Sequence, residues 1–306
     1  MRPHDKFWTV CAWGTSAPFI SDLVKQAGFN FEDYILHRGE RMEVDPGNGQ
    51  TFGIKCKGLV TFDKHRMCED MLEGHTVHWG EHVKDLGGKL EGFDMVIDAT
   101  GFHRSLMPKL AYDASIPCFE VEVEGKFPWD DFYIKPYPAL TGYFWFFPLG
   151  EGRGHVGAGD FRGSYRGEIE AMIKKYDWKV VRRIGRPVRI LPPAYCQPFT
   201  NGKVVGVGES IGTVYPLLGE GIIPSMQCVN LFVEHLDDME AYSEAVLRHY
   251  DIYAKVYRFV KAKLDGNFSM LRQATELAAI YWHMRTSEKR YGLETHLGDI
   301  LKVVKV

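Results

Sequence analysis

Two kinds of apolar spacing recur along this chain, and together they predict a mixed α/β fold. Residues 95–99 and 204–208 are short apolar runs bounded by turn residues, which is typical of strands buried on both faces of a parallel sheet. Residues 16–28 instead carry apolar side chains at helical spacing, with Ser16 as the N-cap and Gly28 as the stop. We therefore expect parallel strands and an amphipathic helix in the same chain.

The middle of the chain shows the alternating pattern of antiparallel strands. Residues 30–62 alternate polar and apolar positions around turn signals at residues 45–49. This alternation predicts a second, antiparallel sheet. Further strands are expected at residues 75–79, 117–123, 132–134 and 143–147, with a strand and turn at residues 157–160.

The last part of the chain is predicted to be mainly helical. A helix is expected to open at Ile222, with Pro224 in its first turn, where proline is tolerated. Residues 185–198 contain several prolines and are expected to be extended. The other predicted helices are at residues 67–72, 241–260 and 269–284, with an amphipathic tail at residues 292–306.

Composition narrows the class of protein. At 306 residues with 45% hydrophobic content, the chain can build a large core, in one large or two intertwined domains. A formal charge of −3 gives no electrostatic case for binding nucleic acid. The six cysteines include no C-x-x-C pair, so neither a metal site nor a redox dithiol is indicated. We expect reduced thiols in a cytoplasmic protein without a membrane span.

One loop carries candidate binding chemistry. Glu209 comes where the strand of residues 204–208 ends, and ligands of open α/β sheets bind outside the carboxyl ends of strands. Gly212 and Pro216 shape the loop that follows. Residues 219–221 let the backbone approach a ligand closely, and the helix that opens next attracts anions at its N-terminus. On spacing alone this is a strand, turn and helix beside some ligand.

These residues resemble the second flavin-binding motif of the geranylgeranyl reductase family, within the p-hydroxybenzoate hydroxylase-like FAD enzymes. The family more often has Asp at the position of Glu209; the longer Glu keeps the charge. The resemblance implies that this loop binds FAD. The implied cofactor contacts are Gly208, Glu209, Gly212, Pro216, Gly219, Glu220, Gly221 and Ile222.

Three further stretches match cofactor segments of that family. Residues 97–101, I-D-A-T-G, imply contacts from Thr100 and Gly101, whereas Asp98 is more simply a structural hydrogen-bond acceptor. Lys64 follows Asp63 as a basic residue does in the family, where it lies beside cofactor phosphates; a solvated helix start is the alternative. By weaker similarity, the backbone of Val83 would meet adenine.

The aromatic stretch at residues 143–148 matches the family signature Y-x-W-x-F-P. Alternation places Tyr143, Trp145 and Phe147 on one face of a strand. Together with Pro148, these side chains would line the pocket for an isoprenoid chain. The alternative is an aromatic core between packed layers.

The start of the chain departs from the family. FAD domains of this kind begin with a strand, a G-x-G-x-x-G turn and a helix, and no such turn follows a strand near Met1. Arg2 resembles the basic residue that comes just after this unit, so we expect the unit to be missing. Cys11 resembles the family cysteine near the flavin ring, although Ala12 replaces the usual glycine. Cys11 is our candidate proton donor, with a small buried thiol as the alternative.

The resemblance suggests a division of the chain into three parts. An incomplete FAD-binding half with a parallel sheet would comprise residues 1–14, 55–105 and 196–238. An antiparallel-sheet substrate half would comprise residues 15–54 and 106–195, followed by a helical region at residues 239–306. The expected fold class is therefore α/β, or α+β overall.

The implied activity is reduction of isoprenoid double bonds in lipids or lipid precursors, by hydride from reduced FAD. The expected partners are a prenyl-lipid substrate and a nicotinamide or ferredoxin electron donor. We also expect an N-terminal fragment, from another chain or from unread codons upstream of Met1, without which FAD should bind weakly or not at all. The protein could act at a membrane periphery. Two alternatives stay open: a monooxygenase of the same fold, or a cofactor-free lipid-binding or vestigial protein.

Overall fold

The computed structural model describes residues 11–80, 91–163 and 165–306. In these ranges the chain forms thirteen strands and nine α-helices. The strands are β1 (Gly14–Ser16), β2 (Ile35–Arg38), β3 (Arg41–Val44), β4 (Phe52–Lys55), β5 (Leu59–Phe62), β6 (Val96–Asp98), β7 (Ser115–Glu124), β8 (Phe132–Pro136), β9 (Gly142–Gly150), β10 (Arg153–Asp160), β11 (Lys179–Arg189), β12 (Thr200–Asn201) and β13 (Val204–Gly206). The helices are α1 (Ala17–Gln26), α2 (Lys64–Leu72), α3 (Tyr165–Tyr176), α4 (Ile222–Glu234), α5 (Met239–His249), α6 (Asp251–Leu264), α7 (Ala274–Thr286), α8 (Glu288–Tyr291) and α9 (Leu297–Val304).

The largest sheet has seven strands in the order β11-β7-β10-β9-β8-β3-β4. All its neighbouring pairs are antiparallel except β3 and β8. Val121, Val156 and Phe146 lie directly opposite one another on β7, β10 and β9. Residues opposite one another project from the same face, so they form an apolar layer, and α3 packs on this layer through Ile169.

A smaller sheet contains the two predicted parallel strands. β13 pairs with β6 in parallel, with Val205 opposite Ile97, and β12 adds an antiparallel edge. Val204 and Val205 are buried, as expected for a short apolar run in this position. The prediction of a mixed α/β fold with a small parallel sheet and a larger antiparallel one is confirmed.

The third sheet, in the order β1-β5-β2, is antiparallel. The predicted strands of residues 30–62 therefore divide between two sheets, because β3 and β4 join the edge of the large one. Helix α1 covers the third sheet with Ile20 and Val24, which are fully buried. Ser16 is at the N-cap, but its hydroxyl donates to the carbonyl of Lys289, so the predicted side-chain cap is wrong.

Two predicted elements differ from the structure. Residues 75–79 form no strand; Gly74 and Gly80 have left-handed φ values of 79° and 77°, and the N–H of His75 closes onto the carbonyl of Leu72. His75 therefore closes a turn after the end of α2 at Leu72, and residues 76–79 continue without regular structure. The single helix expected at residues 241–260 is two helices, since the chain turns at Tyr250, which is buried in the core of the C-terminal helices.

Candidate functional site

The loops that follow β6 and β13 meet at one edge of the parallel sheet. Gly101 and Gly208 both adopt left-handed backbone, with φ of 65° and 67°. A Cβ added at Gly101 would lie 3.0 Å from Oε2 of Glu209. Because the two strands run parallel, their carboxyl ends fall at the same edge. The two predicted loops are therefore neighbours, as a shared ligand requires.

Inside this edge, Glu209 is tied to the protein. Its Oε1 accepts a 2.8 Å hydrogen bond from the backbone N–H of Arg189. Burial raises the pKa of the Glu209 carboxyl, although the N–H groups of Arg189 and Phe102 oppose the shift. The Glu209 carboxylate thus already accepts hydrogen bonds from backbone N–H groups, and a cofactor hydroxyl would have to share the carboxylate with these donors.

Arg189, which the sequence analysis did not single out, organises this edge. Its guanidinium donates to the carbonyls of Glu209 (2.9 Å) and Phe102 (2.7 Å) and to the carboxylate of Asp113 (2.8 Å). One buried cation therefore joins both loops to the end of β11. The sequence signal for it was its place within the proline-rich segment of residues 185–198, which we expected to be extended.

Asp98 is a structural hydrogen-bond acceptor, as the sequence analysis expected. Its carboxylate accepts from the backbone N–H of Thr100 (2.9 Å), Leu106 (2.8 Å) and Met107 (3.2 Å). The same carboxylate accepts from the hydroxyl of Thr100. Asp98 therefore fixes the loop in which Thr100 and Gly101 lie.

The Gly219 loop is held from two sides. Tyr143 of β9 donates its hydroxyl hydrogen to the carbonyl of Leu218. Glu220 accepts from Arg290 (3.0 Å) and from the N–H of Ile223 (3.2 Å), at the start of α4. Burial raises the pKa of Glu220, opposed by Arg290. The Glu220 carboxylate is thus committed to the protein, while the backbone at Gly219, with φ of 63°, is the part suited to close approach.

Two other predicted loop residues have geometric roles. Gly212 has φ of 85°, and a Cβ there would lie 2.3 Å from the carbonyl oxygen of Leu191, so only glycine fits this position. Pro216 lies in the turn between the bridge partners Tyr215 and Glu220. Both residues shape the loop that carries Gly219.

The residue types at this edge fit a flavin in part. Gly101, Gly208 and Gly219 allow close backbone approach, and Ser225 in the first turn of α4 lies 3.1 Å from the position of a Cβ on Gly208. A cavity of about 80 Å³ lies between Thr100–His103, Arg186–Val188 and Glu209. Ligand pockets typically hold roughly 300–1,000 Å³, so this cavity is too small to enclose a flavin by itself.

A second cavity of about 270 Å³ adjoins the first and shares Phe102 and His103 with it.

A G-x-G-x-x-G spacing occurs at Gly152, Gly154 and Gly157. It runs from the β9–β10 turn along β10, not from a strand into a helix, so it is no phosphate-binding turn. Within the described ranges no group of three or more His, Cys, Asp or Glu side chains could hold a metal ion.

The aromatic residues of β9 lie on one face, as predicted. Tyr143, Trp145 and Phe147 stand opposite Gly159, Gly157 and His155 of β10. A Cβ at Gly157 would lie 2.3 Å from Cζ2 of Trp145, so the missing side chain lets the indole lie across β10. Trp145 is 7% exposed; these rings are packed against neighbours, and neither cavity described above is lined by them.

Glu120 of β7, a residue that the sequence analysis missed, lies at the end of this indole. Its Oε2 accepts a 3.3 Å hydrogen bond from Nε1 of Trp145, and its Oε1 accepts a 3.4 Å bond from the backbone N–H of Cys11. Glu120 is 1% exposed, and burial raises the pKa of its carboxyl from 4.5 to about 7. Two candidate residues distant in sequence therefore meet at one buried acid.

Lys64 joins the same cluster. Its ammonium group is hydrogen-bonded with the Cys11 side chain and interacts with Cys68 and Glu120. Burial lowers the pKa of Lys64, but these neighbours outweigh burial and raise it overall. Lys64 is therefore a stable cation beside Cys11. Its predicted place beside cofactor phosphates stays a prediction.

The segment after Cys11 crosses this face of the sheet. Trp13, with a left-handed φ of 59°, packs between the rings of His65 (4.9 Å) and His155 (4.7 Å). Burial lowers the pKa of His155 to about 3, so its ring is neutral at physiological pH. A Cβ at Gly14 would lie 2.2 Å from Phe147. Residues 11–14 therefore roof the polar face and shield it from water.

The structure thus brings the predicted site residues together in two adjacent groups. One group is the loop edge with Gly101, Gly208 and Glu209, and the other is the cluster of Cys11, Lys64 and Trp145. Cys118 of β7 lies between them: burial raises its pKa to about 12, with Glu120 and Glu209 adding to the shift. All six cysteines are free thiols. Two predicted cofactor contacts, Arg2 and Val83, lie outside the described residues.

Known proteins of similar sequence support the resemblance. The chain is 32% identical over 155 residues to digeranylgeranylglycerophospholipid reductase 2 of Methanothermobacter thermautotrophicus, a match covering 45% of this chain and 39% of that protein. It is 27% identical over 266 residues to digeranylgeranylglycerophospholipid reductase 2 of Methanopyrus kandleri, covering 71% of this chain and 64% of the relative. The chain is related to the digeranylgeranylglycerophospholipid reductases. No family model matches it.

Solved structures show the same fold at low identity. A geranylgeranyl bacteriochlorophyll reductase-like protein of Thermoplasma acidophilum aligns with a TM-score of 0.67 and 14% identity, covering 98% of this chain and 86% of that chain. A tryptophan 6-halogenase of Streptomyces toxytricini aligns with a TM-score of 0.61 and 14% identity, covering 98% and 82%. A probable FAD-dependent monooxygenase of Pseudomonas aeruginosa reaches 0.55 with 12% identity, covering 88% and 89%. The fold is therefore that of the FAD-dependent reductases and monooxygenases.

Proposed function

We propose that this chain is a FAD-dependent reductase of isoprenoid double bonds in lipids or lipid precursors. The observation that carries the proposal is the meeting of Cys11, Glu120 and Trp145 on a roofed sheet face beside the two carboxyl-end loops. Similarity to the digeranylgeranylglycerophospholipid reductases supports the substrate class. Reduction needs an acid beside an apolar surface that can hold the alkene, and this face carries the buried acid Glu120 next to the aromatic rings of β9.

The residues divide the work between cofactor and substrate. The backbone at Gly101, Gly208 and Gly219 would hold the flavin, and the N-terminus of α4 would favour negative charge near it. When bound, the flavin supplies hydride to one alkene carbon. Tyr143, Trp145, Phe147 and Pro148 would hold the prenyl chain and exclude water, because an isolated alkene is a poor hydride acceptor and must be positioned.

The proposal includes partners that complete the site. Strand β6 is an edge strand among the described residues, and Ile97 in it is 41% exposed. We propose that a strand-turn-helix unit with G-x-G-x-x-G, supplied from outside the described residues, completes the flavin site. A nicotinamide or a ferredoxin would supply the electrons.

An absorption spectrum tests the cofactor. The 306-residue chain should bind FAD weakly on its own and stoichiometrically when a G-x-G-x-x-G unit is added. A yellow, fully loaded protein purified without that unit would contradict the need for a partner. No binding in either case would contradict the proposed cofactor.

Two alternative functions are each supported by a specific observation. Glu209 already accepts from Arg189, and the enclosed space at the loop edge is about 80 Å³, which favours a cofactor-free lipid-binding protein. Structural similarity to a halogenase and to a probable monooxygenase favours oxygen chemistry. Oxygen-dependent turnover of an aromatic substrate would support the monooxygenase.

The substrate class also implies contact with a membrane surface. No helix in the described parts of the chain is long and apolar enough to cross a bilayer. Leu271 and Trp282 are 91% and 66% exposed near the C-terminus, and such side chains suit peripheral contact with lipid. Co-sedimentation with vesicles tests this part of the proposal; a protein that stays in the supernatant would contradict it.

A further inference from the structure

Glu120 is an unusual side chain for a strand in a packed sheet. It is 1% exposed, and its two oxygens receive N–H donors from two separate elements, the indole of Trp145 and the backbone of Cys11. At 3.3 and 3.4 Å both hydrogen bonds are long, so they offset little of the desolvation of a carboxylate. The carboxyl is therefore held in place without being strongly stabilised as an anion.

Glu122, two residues along the same strand and on the same face, provides the internal contrast. Its carboxylate forms ion pairs with Arg182 at 3.4 Å and Arg153 at 3.6 Å, and it is 6% exposed. Among the described residues the Glu120 carboxylate forms no ion pair, and its two hydrogen-bond donors are neutral. Two buried acids thus share a strand and face but differ in their charge partners.

The charged and titratable groups that face Glu120 come from four elements. They are Cys11 before β1, Lys64 on α2, Arg182 on β11, and Cys118 on its own strand. Burial is the largest influence on Glu120 and raises its pKa to about 7, against the opposing effects of the two N–H donors and the two cations. The carboxyl is therefore protonated in a large fraction of molecules near neutral pH.

We propose that Glu120 is the positioning acid of this site, which fixes Trp145 and the Cys11 backbone and stores the proton that Cys11 delivers to the substrate. The proposal rests on the proposed prenyl reduction. Glu120 acts through Cys11 and Lys64 and does not itself touch the alkene, because residues 11–14 lie over it. The ligand class is an unactivated alkene, reduced by a dihydroflavin.

The atoms and electrons of this step balance. The alkene π bond breaks; one carbon bonds to the hydride that a dihydroflavin gives up, and the other bonds to the proton of the Cys11 thiol. The sulfur keeps the electron pair of its S–H bond as a thiolate beside the Lys64 ammonium. Lys64 passes a proton to the sulfur and takes one from Glu120. The Glu120 carboxylate is reprotonated before the next turnover, by a proton that comes ultimately from solvent and must pass residues 11–14 to reach it.

The stored proton can be observed without any cofactor. In protein labelled with ¹⁵N-tryptophan, the Nε1–H resonance of Trp145, assigned with Trp145→Phe, reports on the carboxylate that accepts from it. We expect a pH transition with a midpoint at about 7, which Glu122→Gln retains and Glu120→Gln abolishes. A resonance that does not titrate, or one that titrates equally in Glu120→Gln, would overturn the inference.

The use of the proton is tested by the pH profile of prenyl reduction. The wild-type rate should fall as pH rises through about 7. Glu120→Gln should lose this limb and react slower by on the order of 10²-fold, the usual contribution of a positioned acid. Glu120→Asp should recover part of the rate and the limb, whereas Glu122→Gln should keep the limb. A wild-type rate and profile in Glu120→Gln would overturn the inference.

The failure of the proposed function looks different. If the flavin-loaded wild type reduces no prenyl lipid at any pH, the proposed function and with it the delivery step are overturned. The resonance of Trp145 decides separately whether Glu120 holds the proton. A transition there with no reduction would identify a buried acid that serves another reaction.

Discussion

The two faces of the seven-stranded sheet come from the same strands but have opposite chemistry. On one face Val121, Phe144 and Val156 pack under α3 in a layer of aliphatic and aromatic side chains. On the other face, Glu120 and Glu122 lie beneath the segment of residues 11–14, and both are buried. The apolar face resembles the core of any packed domain, whereas the polar face keeps carboxyl groups away from water at a cost in stability.

The comparison teaches that burial alone does not mark a core. Fold stability arises on the α3 face, since apolar area removed from water contributes roughly 25 cal/mol per Å². The opposite face lowers stability, and buried acids with raised pKa are typical of functional sites. We therefore expect substitutions on the first face to change folding, and substitutions on the second to change pH dependence and chemistry.

The largest effect is expected on the α3 face. Phe144 is fully buried, so Phe144→Ala leaves a cavity and should lower the free energy of unfolding by about 3–5 kcal/mol. Urea denaturation followed by circular dichroism measures this difference. A loss below about 1 kcal/mol would show that this face does not carry the stability assigned to it.

The next effect concerns Glu120 and has a defined sign. Burial raises the pKa of Glu120 from 4.5 in the unfolded chain to about 7 in the fold, so between these values the folded protein holds a proton that the unfolded chain releases. Stability must therefore fall as pH rises from about 4.5 to about 7, by about 1.4 kcal/mol per pH unit. Glu120→Gln removes this fall. The free energy of unfolding of the variant, relative to that of wild type, should therefore be about 3 kcal/mol higher at alkaline pH than at acidic pH.

Thermal or urea unfolding of both proteins at several pH values measures that difference. Other titrating groups are shared by the two proteins and cancel in the comparison. Glu122→Gln is the matched control, because it removes an acid from the same strand and face but leaves Glu120 in place. Parallel pH curves for wild type and Glu120→Gln would refute the assignment.

A smaller effect is expected where the indole crosses β10. A Cβ at Gly157 would lie 2.3 Å from Trp145, so Gly157→Ala forces the ring away from Glu120 and should cost about 1–3 kcal/mol, as overpacking does. Gly163→Ala, where a Cβ would meet nothing within 4 Å but φ is 69°, reports strain alone. Trp145 fluorescence should change in the first variant and not in the second.

The last prediction concerns the chemistry of the polar face and is read from rates and flavin affinity, not from stability. Trp145→Ala should slow prenyl reduction by on the order of 10²-fold, because the substrate loses its positioning, while the affinity for flavin changes little. Reduction rates and flavin titration separate the two. Equal loss of both would mean that Trp145 has only a structural role.

Much of the fold followed from local pattern. The apolar runs that became β6 and β13 and the helical stripe of α1 depend on neighbours in sequence, so they were predictable. Residues 75–79 were not, because a β-rich sequence forms a strand only where a partner strand is available. The division of the predicted C-terminal helix at Tyr250 likewise reflects packing in the core.

The site was predictable only where a motif marked it. Cys11, Lys64 and Trp145 were identified through resemblance, but nothing local showed that they meet. Glu120 lies in the alternating stretch F-E-V-E-V-E, a pattern typical of a strand with one face in water. Its burial depends on residues 11–14 and on α2, which reach this face only in the folded protein.

Mass spectrometry of the lipid product tests the central claim most directly. The wild-type chain, supplied with FAD, a G-x-G-x-x-G unit and dithionite under anaerobic conditions, is incubated with a digeranylgeranyl lipid. Our account predicts that the lipid gains one H₂ for each double bond reduced, and that Trp145→Ala strongly diminishes this gain. An unchanged lipid mass in the presence of bound, reduced flavin would contradict it.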